Sequence, residues 1–250
     1  MRKSMPIFAA AATALTATCV AARESGGETA DDQQNTQPVL IEMFVSQACK
    51  SCPPASAYLT ELARRPGVVA LSWHIDYWNM LASRAFGRWQ DPFSRPAFAE
   101  RQRRYNKNIR NRSSVFTPQA IINGAESVVG SKREEVESII HAEMSAPDDA
   151  SIRMTPDDSG YAIRVTSKLD GAQEVYLVKF LQATETDVRG GDNAGMHIMD
   201  AHVVSEVTHL GAAPTGEADF RAPKPDRAMG CAVIVQAPDQ GRVFAAQYCP

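Results

Sequence analysis

Val39-Leu40-Ile41-Glu42-Met43-Phe44-Val45, running on into Ser46-Gln47-Ala48-Cys49-Lys50-Ser51-Cys52-Pro53-Pro54, decides the architecture of this chain. The first seven residues are mostly apolar and suit a buried strand. Ser46-Gln47-Ala48 is a turn, and Cys49 stands at its end, ahead of a helix. Residues 55–64 carry Tyr58, Leu59, Leu62 and Ala63 at helical spacing, and Pro66-Gly67 stops the helix. Residues 68–73 form a second apolar strand. Strand, helix and strand in so short a span make a βαβ unit, whose crossover is right-handed and whose strands are parallel. Both strands then end at one edge of the sheet, so His74 and Asp76 are expected beside Cys49.

Cys49 and Cys52 carry the most informative chemistry. A thiolate at a helix N-terminus faces unpaired N–H groups and the positive end of the dipole, which lowers its pKa. Cys49 is expected to attack and Cys52 to resolve a mixed disulfide, with Lys50 adding positive charge. Proline is comfortable only in the first helical turn, so Pro53 and Pro54 place the helix start near Ser51 or Cys52. Two other readings of the pair are a structural disulfide and half of a zinc site. Zinc wants a second ligand pair, and Cys231 and Cys249 are too far apart for a knuckle. A structural disulfide across so short a loop gains little. His74 would shuttle protons or stabilise the Cys49 thiolate, or else be a core histidine hydrogen-bonded to Asp76 among Trp73, Tyr77 and Trp78. A reading of a different class takes Cys49, Cys52 and His74 as a soft copper(I) ligand set.

Thr117-Pro118-Gln119-Ala120-Ile121-Ile122-Asn123-Gly124 resembles the segment that carries the cis-proline of thioredoxin and glutaredoxin relatives. The resemblance implies that Pro118 is cis and that Thr117 faces the dithiol. Together with the Cys49 motif and His74-Ile75-Asp76-Tyr77-Trp78, this looks like a bacterial family of secreted thioredoxin-like proteins of undefined function. The likeness covers residues 38–145 and extends loosely to Asp192-Asn193-Ala194-Gly195.

The rest of the chain frames that unit. Arg2 and Lys3, the apolar run from Met5 to Val20 and the small residues Val20-Ala21-Ala22 form a signal peptide over 1–22. Acylation of Cys19 is the rival, with a poor lipobox before it. Removing 1–22 shifts the net charge from −3 to −5, giving no reason to expect nucleic acid. Residues 23–37 read as a disordered linker. A helical insertion is expected over 79–114, with a helix near 96–110. It carries nine Arg or Lys against Asp91 and Glu100, a surface that would attract acidic partners. Ser131 and Glu134 suggest a capping box. The expected fold is α/β: a thioredoxin-like domain over 38–146, then a β-rich, sandwich-like domain over 150–250. Cys231 and Cys249 flank a hairpin and are expected to form a clasp disulfide. The chain reads as an exported thiol–disulfide oxidoreductase of the periplasm or medium, acting on a protein or small thiol. No cofactor or membrane span is expected.

Overall fold

The computed structural model describes residue 1 and residues 38–80 and 89–250. The expected leader, Cys19, the linker 23–37 and residues 81–88 of the insertion lie outside the described residues. Strand β1 (Val39–Val45) is buried along its whole length, as a strand covered on both faces must be. Helix α1 (Pro53–Leu62) comes next, with Cys52 at its N-cap position making no side-chain cap and Pro53 and Pro54 in its first turn. Strand β2 (Val68–His74) then lies parallel to β1, from Val39 opposite Val68 to Val45 opposite His74.

Helix α2 (Pro96–Arg110) leads to the hairpin of β3 (Gln119–Ile122) and β4 (Glu126–Val129). Asn123 and Gly124 take positive φ in its turn, as a two-residue hairpin demands. Helix α3 (Arg133–Met144) starts one residue later than the capping box requires. Lys132 is its N-cap and no side chain caps it, because the carbonyl of Ser131 accepts the Arg133 N–H instead.

Seven more strands complete the chain: β5 (Ala150–Asp157), β6 (Gly160–Ser167), β7 (Gln173–Asp187), β8 (His197–Ala213), β9 (Gly216–Ala222), β10 (Met229–Gln236) and β11 (Val243–Tyr248). They do not make a body of their own. The central sheet runs β11-β10-β7-β8-β2-β1-β3-β4, and β5-β6-β9 form a second, three-stranded sheet. The join is the parallel pairing of β8 with β2 at Ser72 and Val203. Residues 38–146 and 150–250 therefore share one sheet, and Pro147-Asp148-Asp149 marks a change of sheet within one compact body. The sandwich character is real but local: Ile152, Ile163 and Val165 of the small sheet pack on Leu177, Val233 and Val235 of the large one.

The large sheet rolls until β11 meets its other half. Val243 N–H donates to the Asn123 carbonyl at 2.8 Å. Ala70, in the middle of β2, has no strand partner beyond β1, because β8 reaches β2 only further along. The Tyr248 hydroxyl fills that gap, accepting from Ala70 N at 2.7 Å and donating to Ala70 O at 3.1 Å, with His202 Nδ1 2.9 Å away. Enclosed by the roll is a buried ion pair. Glu42 of β1, fully buried, takes two hydrogen bonds from Arg101 of α2 (2.6 and 3.1 Å) and one from Tyr105. Arg101 also lies over the Trp73 and Tyr105 rings. Removing one member of a buried pair strands the other charge, which typically costs about 3–5 kcal/mol. Glu42→Ala is expected to lower unfolding stability by that amount in urea titration; a loss below about 1 kcal/mol would show that Arg101 re-solvates freely.

Candidate dithiol site

The site lies at the edge where β1 and β2 both end. Cys49 and Cys52 are joined in a disulfide with Cα atoms 5.5 Å apart, at the mouth of α1. Both cysteines belong to the core cluster beneath α1, and Cys49 is 0% exposed while Lys50 and Ser51 face solvent. The Thr117–Pro118 bond is cis. Thr117 Oγ1 donates to Cys49 Sγ at 3.2 Å and accepts from Trp78 Nε1 at 2.8 Å, while Ser51 Oγ donates to the Thr117 carbonyl at 3.3 Å.

Helix α2 holds that turn in place from behind. Gln102 Nε2 donates to the Phe116 carbonyl (2.8 Å) and to Gln119 Oε1 (2.7 Å), and Asn106 bonds Gln119 in both directions. Across the dithiol lies the loop of residues 188–196, between β7 and β8. Buried Asn193 donates from Nδ2 to the carbonyls of Gln47 (3.0 Å) and Cys49 (2.8 Å), and Asp192 N–H donates to Ala48 O (3.0 Å). Three successive carbonyls of the turn are thus satisfied from the far half of the chain, as buried carbonyls require. Gly191, at φ +77°, sits where a Cβ would come within 2.5 Å of the Ala48 Cβ.

His74 does not pair with Asp76. The strand ends at His74 and residues 77–80 are helical, so the two-residue alternation that would align Asp76 with it no longer applies. Fully buried His74 instead places Nδ1 2.9 Å from Asp91 Oδ2 and Nε2 3.8 Å from Asp200 Oδ2. Gln47 ties the three together: its backbone N–H donates to Asp91 Oδ2 (2.8 Å) and its Nε2 to Asp200 Oδ2 (2.9 Å). A narrow gap with no room for a water molecule is lined by Ser46, Gln47, Cys52, Ser56, His74 and Asp200. His74 Nε2 and Gln47 Oε1, both buried, find no hydrogen-bond partner in it. Of the expected copper ligands, His74 and Cys52 line this gap, whereas Cys49 Sγ is engaged by Thr117 and Ser51. Among the described residues, no group of three or more His, Cys, Asp or Glu is arranged to hold a metal ion.

Burial alone would lower the His74 pKa, but Asp91, and behind it Asp200, outweigh that and raise it above its ordinary 6.5. Asp91 is held below the usual carboxylate range: burial opposes this, and His74 with the N–H groups of Gln47 and Phe93 overcomes it. Both shifts favour the imidazolium–carboxylate form of the pair. Sequence alone places Asp91 only in a turn, and gives Asp200 no signal at all. The second disulfide, Cys231–Cys249, clasps β10 to the C-terminus, with Cys249 N–H donating to the Cys231 carbonyl at 2.8 Å.

Protonated His74 stabilises the fold fully below pH 6.5, its ordinary pKa, and the contribution fades as pH rises through the elevated folded value. Asp91→Asn is expected to bring the His74 titration, followed by imidazole NMR, down below 6.5 and to cost more stability in acid than at about pH 9. An unchanged His74 titration would show that Asp91 is not its charge partner.

A crystal structure of an Agrobacterium tumefaciens protein, solved by a structural-genomics consortium, is similar to the chain at 25% identity with a TM-score of 0.72, covering 86% of this chain and 95% of that one. HBP35 of Porphyromonas gingivalis shares the fold with a TM-score of 0.51 at 12% identity, over 86% of this chain and 75% of that one. No curated protein matches the chain. The family described as a protein of unknown function, DUF1223, matches residues 40–236, a span holding the dithiol turn, the Thr117–Pro118 turn and Asp200 alike, and the chain belongs to that family.

Proposed function

We propose that the protein is an exported thiol–disulfide oxidoreductase with a thioredoxin-like active edge, exchanging Cys49 and Cys52 with the thiols of a partner. The observation that carries this reading is the cis Thr117–Pro118 turn set against Cys49, with the Thr117 hydroxyl on its sulfur. A disulfide whose only service was structural would need no such neighbour. Export is consistent with two disulfides and with the absence, among the described residues, of any helix long and apolar enough to cross a membrane.

In the direction that oxidises the partner, a partner thiolate attacks Cys49 Sγ. The new sulfur–sulfur bond forms as the Cys49–Cys52 bond breaks, and Cys52 leaves as a thiolate. His74 lines the same gap as Cys52, and its Nε2 makes no hydrogen bond, with Asp200 Oδ2 no nearer than 3.8 Å, so the imidazolium supplies the proton that Cys52 takes up. A second partner thiol then gives its proton to solvent and attacks the partner sulfur of the mixed disulfide, displacing Cys49 as a thiolate. The partner has lost two electrons and two protons; the protein has gained both electrons and one proton, which His74 passes to Cys52 and recovers from solvent, and the other proton stays in solvent. In the reverse direction His74 accepts the Cys52 proton instead. The positive end of α1 and Lys50 favour the Cys49 thiolate in both directions.

Redox titration in glutathione buffers, with alkylated thiols counted by mass spectrometry, tests the reading. The Cys49–Cys52 couple is expected between about −270 and −120 mV, the range of disulfide oxidoreductases. A pair that stays oxidised below about −300 mV is a structural disulfide and ends the proposal. His74→Gln is expected to slow exchange on the order of a hundredfold and to flatten its pH profile above about pH 6.5. A uniform loss with the profile retained would mean that His74 serves packing alone.

A further inference from the structure

Between residues 95 and 114 the chain has seven Arg or Lys and a single acid, Glu100, although the protein as a whole carries a net charge of −3. Arg101 is the exception among the seven, turned inward to Glu42. Arg103, Arg104, Lys107 and Arg112 face solvent, and Arg110 is half-buried. This charge adjoins the dithiol. The Arg110 guanidinium lies 5.0 Å over the Phe116 ring, and Phe116 directly precedes Thr117, whose hydroxyl touches Cys49 Sγ. Arg103 is near enough to Tyr77 to act on its hydroxyl, and Tyr77 in turn bonds Gln102, which holds the same turn. On the other side of the turn stands exposed Lys50, inside the dithiol motif itself. The acids near this face are few. Asp76 lies by Tyr77, Asp239 borders the groove beside Arg103 and Lys107, and Glu100 is paired with Arg104 at 3.3 Å.

We propose that this face of α2 together with the residues that follow it, from Arg103 to Arg112, is the docking surface for an acidic segment of the polypeptide partner whose thiols exchange at Cys49. The inference rests on the exchange reading and names the partner's chemistry. Arg103, Arg104 and Lys107 line one groove of this face, and Arg103 and Arg110 tie it to the Thr117 turn. A positive field at the mouth of a reactive site raises the encounter rate of anionic partners and falls with salt.

The test uses the full chain, oxidised, and three synthetic dithiol peptides that differ only in flanking residues: Asp and Glu, Ser, or Lys. At low ionic strength the acidic peptide is expected to reduce Cys49–Cys52 at least about tenfold faster than the basic one. That ratio is expected to approach one as salt shortens the screening length well below about 8 Å. The double substitution Arg103→Glu and Arg112→Glu is expected to collapse the ratio at low salt. Equal rates for the three peptides, or a ratio that survives the double substitution, overturn the docking inference. Reduction by uncharged dithiothreitol separates this from failure of the exchange reading. If dithiothreitol leaves the pair oxidised, exchange is refuted, and anisotropy with a cysteine-free acidic peptide then decides docking alone: salt-sensitive binding lost in the double variant upholds it, and no binding overturns it.

Discussion

Burying His74 at the end of β2 constrains everything around it. An imidazolium with no exposed surface needs carboxylates within reach, and the chain brings two, Asp91 on Nδ1 and Asp200 beyond Nε2. Neither lies in the βαβ unit that presents His74. Gln47 hydrogen-bonds to both and stands two residues before Cys49, so the charge pair and the dithiol turn are held by one side chain and one backbone amide. Any displacement of Asp91 or Asp200 would be felt at the turn.

The same logic explains why the chain forms one body. The dithiol turn has carbonyls that no strand or helix satisfies, and they are met by Asn193 and Asp192 from between β7 and β8. The Thr117–Pro118 turn is held by α2, so the helix inserted after β2 supports the site as well as covering the sheet. A sheet edge assembled from four separate parts of the sequence cannot be split at residue 147. Continuity of the sheet through β2 and β8 is what lets the later strands reach it.

Much of this is legible from local signals. The strand β1, the proline-opened α1, the parallel return of β2, the cis turn at Pro118 and the clasp of Cys231 with Cys249 all depend on neighbours in sequence or on a resemblance carried by short motifs. The features that escape such signals depend on distance. Asp91 and Asp200 gain meaning only once the tertiary fold brings them onto His74. Asp76 misleads because strand alternation is extended past the strand's end. Strand β9 lacks an apolar run and carries only the weaker signal of a half-buried strand, Glu217, Asp219 and Arg221 alternating with half-buried Ala218 and Phe220. The expected domain boundary fails for a related reason: a turn between sheets and a turn between domains have the same composition.

The two disulfides serve different strands of the sheet. Cross-linking stabilises mainly by restricting the unfolded chain, more for longer loops. The clasp spans a sequence separation of 18 and the dithiol pair one of only 3, so the entropic argument gives the clasp the larger share, roughly 3 against roughly 2 kcal/mol. The clasp also acts one residue from Tyr248, the side chain that closes the rolled sheet onto Ala70. Opening it would free the C-terminal strand from that seam. Opening Cys49–Cys52 would leave the turn still held by Asn193, Asp192 and Thr117, and α1 still started by its own prolines. Surroundings that do not depend on the bond between the two cysteines are what the proposed exchange requires.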